Sequence, residues 1–172
     1  MTGCKSGVVT RLKSDTPGVL ATHCVAHRLA LSCRDGADDI PYLVKVQEIL
    51  NSIFKYFSKS PKNAAMLEEM QKLTPGQSGK FKAVFHTRWL TFHGSVDALI
   101  SNYSSLVSVF LEEKSDKSLS LYKPITCYKF LHVTHFLADV LLPLATLSKS
   151  FQTQDLDYTE VSALLHSAFQ SI

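Results

Sequence analysis

Apolar residues along this chain recur at steps of three and four far more often than they alternate. Leu43, Val46, Leu50, Ile53 and Phe57 fall on one face of a helix, with Pro41 suited to its first turn. The run Ser58-Lys59-Ser60-Pro61 ends that helix and starts another, with Ser60 as the cap and Pro61 in the first helical position. Leu67, Met70 and Leu73 are its expected buried side. Val96, Leu99, Tyr103, Leu106 and Phe110 predict one long helix over 90–112. A further helical region over 124–151 uses Tyr128, Leu131, Phe136, Val140, Leu144, Leu147 and Phe151. Pro143 lies inside it and is expected to kink or split it. Asp157-x-x-Glu160 has the form of a capping box opening a last helix through Phe169.

The first third of the chain reads differently. A short helix over 6–13 stops at the turn-forming Ser14-Asp15-Thr16-Pro17-Gly18. Residues 19–25 form the one convincing strand, short and partly β-branched, and the pattern turns helical from Ala26. Residues 74–79 and the polar 113–123 predict loops. A lone strand leaves unpaired backbone groups on both edges and needs neighbours. The expected fold class is therefore mainly α, a fragment of a larger α/β protein whose sheet lies mostly outside these residues. No internal repeat or low-complexity tract is present.

Composition narrows the class. The 172 residues suffice for one domain with a real core, and 45% apolar with 19% charged residues is globular rather than disordered. A net charge of +3 permits a nucleic-acid partner without arguing for one. Lys and Arg are scattered, but the stretch from Ser78 to Arg88 carries Lys80, Lys82, His86 and Arg88 and no acid. It is the best local candidate for a phosphate-facing strip. The start, Met1 to Gly7, is polar and no signal peptide. The most apolar window, 136–147, falls well short of the roughly 20 residues that span a bilayer, so no membrane partner is expected. Cys4, Cys24, Cys33 and Cys127 lack the spacing of a secreted scaffold, and reduced intracellular thiols are expected.

Two clusters carry candidate chemistry. In His23-Cys24-Val25-Ala26-His27, the Cys-x-x-His pair could give a metal two ligands, with Cys33 as a third. A structural zinc needs four, and Cys127, His132 and His135 lie about a hundred residues away in sequence. The plainer reading has Cys24 packed as a small apolar group and the His rings hydrogen-bonded at a strand–helix junction. In His86-Thr87-Arg88-Trp89, the single Trp reads first as a core anchor. Its basic neighbours also suit a base-stacking device, worth about 1–3 kcal/mol per stacked base. Hydrolase readings fare worse: there is no Gly-x-Ser-x-Gly, no Gly-rich phosphate loop and no His-Glu-x-x-His. The pairs Asp38-Asp39 and Glu68-Glu69 read as solvated surface. No small-molecule substrate suggests itself.

Taken in order, Met1-Thr2-Gly3-Cys4-Lys5-Ser6-Gly7-Val8-Val9, then His23-Cys24-Val25-Ala26-His27-Arg28-Leu29, then Thr87-Arg88-Trp89 resemble the hAT superfamily of transposases. The likeness is closest to host proteins derived from them, which often carry zinc fingers, and it covers essentially the whole chain. It implies an RNase H-like core interrupted by an all-helical insertion: here a partial core over 1–34 and insertion over 35–172. In the intact family two Asp and one Glu hold divalent metals such as Mg. The resemblance places an Asp-Gly pair before Met1 and the Glu beyond Ile172, so no catalytic carboxylate maps onto this chain and no enzymatic activity is expected of it. The family's C-terminal dimerisation segment has no match either. Trp89 matches the family's base-stacking Trp, and Arg88 would contact the same DNA. Cys24 and His27 match its Cys-x-x-His, beside the catalytic strand. The implied setting is nuclear, with DNA, a protein partner or self-association as the partner.

Overall fold

The computed structural model describes residues 7–20, 23–73, 79–84, 89–153, 157 and 159–172, with Trp89 and Leu90 as backbone alone. Among the described residues the chain is mainly α-helical and holds no strand. Two helices come first, α1 (Val8–Asp15) and α2 (Val25–Asp38). A body of six follows: α3 (Pro41–Ser58), α4 (Pro61–Leu73), α5 (Trp89–Ser101), α6 (Tyr103–Glu113), α7 (Asp116–Ile125) and α8 (Tyr128–Ser150). The last is α9 (Val161–Gln170).

The expected strand over 19–25 is not formed by its described residues. Val25 instead opens α2, whose first bond runs from the Arg28 N–H to the Cys24 carbonyl at 3.1 Å. A strand needs a partner for its backbone groups, whereas a helix satisfies them internally. Among the described residues of 1–34, where a partial RNase H-like core was expected, the chain forms α1 and α2 and no sheet.

The body is built around α3. Pro41 sits in the first helical turn, and Val46, Leu50, Ile53 and Phe57 are buried as the spacing predicts, with Leu43 packed partly against them. Ser60 caps α4 by accepting from the Asn63 N–H at 3.3 Å. Leu67 is buried and Met70 half-buried, but Leu73 is 75% exposed and does not belong to the core face. Around Phe57 gather Phe81, stacked at 5.2 Å, Phe110 at 6.1 Å and Tyr56 edge-on at 5.0 Å. Each large apolar side chain buried this way stabilises by about 1.5–3 kcal/mol.

The long helix expected over 90–112 is two helices. Buried Asn102 separates them: its Nδ2 donates to the Ala98 carbonyl at 2.7 Å, and its Oδ1 accepts from Gln71 Nε2 at 2.6 Å. A side chain that competes for backbone carbonyls interrupts a helix readily. Val96, Leu99, Leu106 and Phe110 are buried across the break, and Tyr103 is half-buried. α6 stops at Lys114 in the left-handed conformation, φ 49°.

The expected loop over 113–123 is largely helix. Ser115 caps α7 by accepting from the Ser118 N–H at 3.1 Å, and Ile125 anchors the helix in the core.

Over 124–151 both the boundary and the buried face differ from expectation. Pro124 falls in the last turn of α7, and α8 runs through Pro143 without splitting. Its inner stripe is Phe130, Thr134, Leu137, Leu141 and Ala145, packed mainly on α5. Tyr128 and Phe136, expected inside, face out, while Leu147 and Phe151 are buried. By length and composition α8 reaches what a membrane span needs: it has 23 residues, and its most apolar 18-residue window has a mean hydropathy of 1.5. It is thus longer than the apolar window read from sequence. Core helices of soluble proteins pass the same measure, and a third of the apolar window is buried inside the protein.

The capping box is absent. Glu160 precedes α9 without a side-chain cap bond, and Asp157 Oδ1 accepts instead from the Thr159 N–H at 2.9 Å.

Candidate nucleic-acid interface

The basic strip begins at the described segment 79–84, which lies between α4 and α5 and is neither helix nor strand. Its pattern is alternating in part: Phe81 and Val84 are buried, while Lys80 and Lys82 are exposed. Three side chains from elsewhere hold its backbone, among them Gln71 of α4, whose Nε2 donates to the Gly79 carbonyl at 3.0 Å. Asn51 of α3 clamps Val84 at both ends, its Oδ1 accepting from the Val84 N–H at 2.9 Å and its Nδ2 donating to the Val84 carbonyl at 3.2 Å. Ser95 of α5 donates to the Lys82 carbonyl at 2.9 Å. A buried pair of apolar anchors with four such hydrogen bonds fixes which side of the segment faces water. Lys80 and Lys82 are therefore displayed, and the segment leads toward Arg88 and the start of α5.

Gly94 contributes by being small. A Cβ there would lie 3.5 Å from Lys82 Cδ and 3.6 Å from Nζ, so the Lys82 stem rests along the α5 surface. The charged end stays exposed, as long cationic side chains prefer. His86, Arg88 and the Trp89 side chain lie outside the described residues. The Trp89 backbone opens α5.

The second cluster is exposed. His23, Cys24 and His27 all face solvent at the start of α2, with the two rings 6.1 Å apart. Cys24 therefore does not pack as a small apolar group; its part in the local structure is its backbone carbonyl. Cys33, further along α2, is partly buried, and burial pushes its thiol pKa up. Among the described residues no three His, Cys, Asp or Glu side chains come together as a metal site. Among these residues, Cys127, His132 and His135 do not complete one with Cys24 and His27.

No family model matches this chain. No solved structure matches it either. The hAT likeness therefore rests on the sequence motifs.

Asn51 and Ser95 were not singled out in the sequence. The alternation at 80–84 hints at an extended segment with one side in, but nothing local names a clamp 33 positions earlier.

Proposed function

We propose that this chain is a catalytically inactive module derived from a hAT-type transposase, and that it binds DNA through Lys82, His86, Arg88 and Trp89. One observation carries it: the segment leading into the Arg-Trp element is anchored by Phe81, Val84, Asn51 and Ser95 so that its lysines face solvent. Stacking by Trp89 with phosphate contacts from Arg88 and Lys82 gives sequence-tolerant binding.

The test is binding of a hairpin-forming DNA over a salt series. Trp89→Ala should cost about 1–3 kcal/mol of binding. Lys82→Gln should make the log–log salt slope shallower by about one. Unchanged affinity and slope in both variants would sink the reading. Magnesium-dependent cleavage of the same DNA by this chain would sink its catalytic half. Nuclear residence follows from the proposal and is checked by imaging a fluorescent fusion.

A second reading has its own observation. Tyr128, Phe136 and Leu142 are exposed along the outside of α8, as a protein-docking helix would present them. It predicts no DNA affinity at all, and a partner or self-association lost in Phe136→Ser.

A further inference from the structure

Away from the Arg-Trp element, the end of α3 and the first turns of α4 and α7 enclose an open groove of about 940 Å³. Four lysines line it: Lys55 and Lys59, one turn apart at the end of α3, Lys62 in the first turn of α4, and Lys117 in the first turn of α7. All four are exposed, and none pairs with a carboxylate among the described residues, where the only ion pairs join Arg34 to Asp35 and Asp38.

The groove holds two carboxylates. Glu113 accepts from the Tyr56 hydroxyl and from Ser115 Oγ, so neutral donors already hold it in the wall. Asp116 is the first residue of α7, where the positive end of the helix dipole favours it. Four positive against two negative side chains leaves the groove basic by two, in a chain whose whole net charge is +3.

The lining also says what kind of anion fits. Lysine is a point charge suited to phosphate oxygens, without the planar fork with which arginine reads base edges or carboxylates. The one aromatic ring in the wall, Tyr56, is not free to stack on a base. Its hydroxyl is held by Glu113, and its ring packs edge-on against Phe57 and Phe110 at 5.0 and 5.3 Å. An open channel with unpaired ammonium groups and no stacking face suits a run of phosphates rather than bases. Phosphates spaced along a strand can meet lysines drawn from three helices.

We infer that this groove binds the sugar-phosphate backbone of DNA, without regard to sequence, as a second contact separate from the Arg88–Trp89 element. The inference rests on the nucleic-acid reading above, but it involves none of the same residues.

The experiment measures binding of a short duplex DNA to the full chain over a salt series, in the parent and in Lys55→Gln/Lys59→Gln/Lys117→Gln. The expected result is affinity down at least about tenfold and a log–log salt slope shallower by about 2 to 3. The charge-keeping variant Lys55→Arg/Lys59→Arg/Lys117→Arg should retain the parent slope, and Asp116→Asn should tighten binding. Unchanged circular dichroism and thermal midpoint in the Gln variant separate lost contacts from lost fold. If the Gln variant binds as the parent does, the inference is overturned, whatever Arg88→Ala and Trp89→Ala do. If the Gln variant weakens binding while Arg88→Ala and Trp89→Ala do not, the groove stands and the Arg-Trp reading falls. If the parent binds no duplex but binds phosphatidylserine-containing vesicles, the groove takes lipid headgroups and the inference fails.

Discussion

The body from α3 to α8 and the helices that flank it are made of similar amphipathic sequence, yet they are packed very differently. The body closes on itself around Phe57, Phe81, Phe110 and Phe130. α1 and α9 bury no residue, and α2 buries Ala37 alone. Val8, Leu12, Phe169 and Ile172 are all at least half exposed. Amphipathicity alone thus does not say whether a helix has a place in a core; the partner face does. Among the described residues α2 touches α3 and α8, and α9 touches α8, but neither contact is wide enough to bury a full apolar face.

Removing one ring from each region should have very unequal effects. Phe110 is fully buried between Tyr56 and Phe57, and Phe110→Ala should lower stability by about 3–5 kcal/mol. Phe169 in α9 is 74% exposed, and Phe169→Ala should change it by no more than about 0.5 kcal/mol. Urea unfolding measures both. An equal loss in the two variants would mean that α9 is covered in solution, and a midpoint that rises with protein concentration would identify the cover as another copy.

A smaller effect probes the link from the body to the candidate interface. Asn51→Ala removes both hydrogen bonds to Val84 and should cost about 1–3 kcal/mol. Asn51→Asp keeps the acceptor for the Val84 N–H but sets an oxygen against the Val84 carbonyl in place of the Nδ2 donor, and should not recover the loss. Hydrogen exchange at Val84 reads the change directly. If exchange there is unaltered in Asn51→Ala, the clamp does not hold the segment and Lys82 is not positioned by it.

How far the sequence disclosed this arrangement varies by element. α3 and α4 were legible because large apolar residues and the Ser60-Pro61 signal coincide with the face that is buried. α8 was not, because its inner stripe includes Thr134 and Ala145 while Tyr128 and Phe136 point out. Thr134 is tolerated inside because its hydroxyl donates to the Phe130 carbonyl at 2.7 Å, so nothing polar is left unsatisfied. α7 was hidden by its serines, which read as loop but serve as cap and first turn. The described residues of 19–25 form no strand for the opposite reason: among the described residues their local propensity has no second strand to pair with. At the candidate interface, Lys82 was visible as part of a basic stretch. Its positioning by Asn51 and Ser95 is a matter of tertiary contacts that no local pattern contains.

Glycine substitutions sharpen the same contrast between regions. Gly94 lies within α5 and Gly36 within α2, and alanine at either adds helix propensity worth up to about 1 kcal/mol. A Cβ at Gly94 meets only the flexible Lys82 side chain at ordinary contact distance, and one at Gly36 meets nothing within 4 Å. Gly94→Ala should therefore raise the global unfolding midpoint. Gly36→Ala should slow amide exchange within α2 while leaving that midpoint nearly unchanged. A clear global gain from Gly36→Ala would place α2 in the same cooperative unit as the body.

The smallest expected effect lies at the start of α9 and concerns pH. The Thr159 N–H donates to the Asp157 carboxylate, and this bond, together with one from the Thr159 side chain, holds Asp157 below the usual carboxylate range. A lowered folded-state pKa means that the charged form is favoured by the fold. Its contribution is present above the ordinary value of about 3.9 and is lost as pH falls through the lowered folded-state value. Because Asp157 is fully exposed, the effect should be confined to the turn it closes rather than to the whole fold. Amide exchange at Thr159 should accelerate, beyond its intrinsic pH dependence, as pH drops through that window. Asp157→Asn keeps an acceptor for the Thr159 N–H but cannot titrate, and should abolish the excess. A parent whose protection at Thr159 does not change between neutral and acidic pH would show that α9 is not started by this turn.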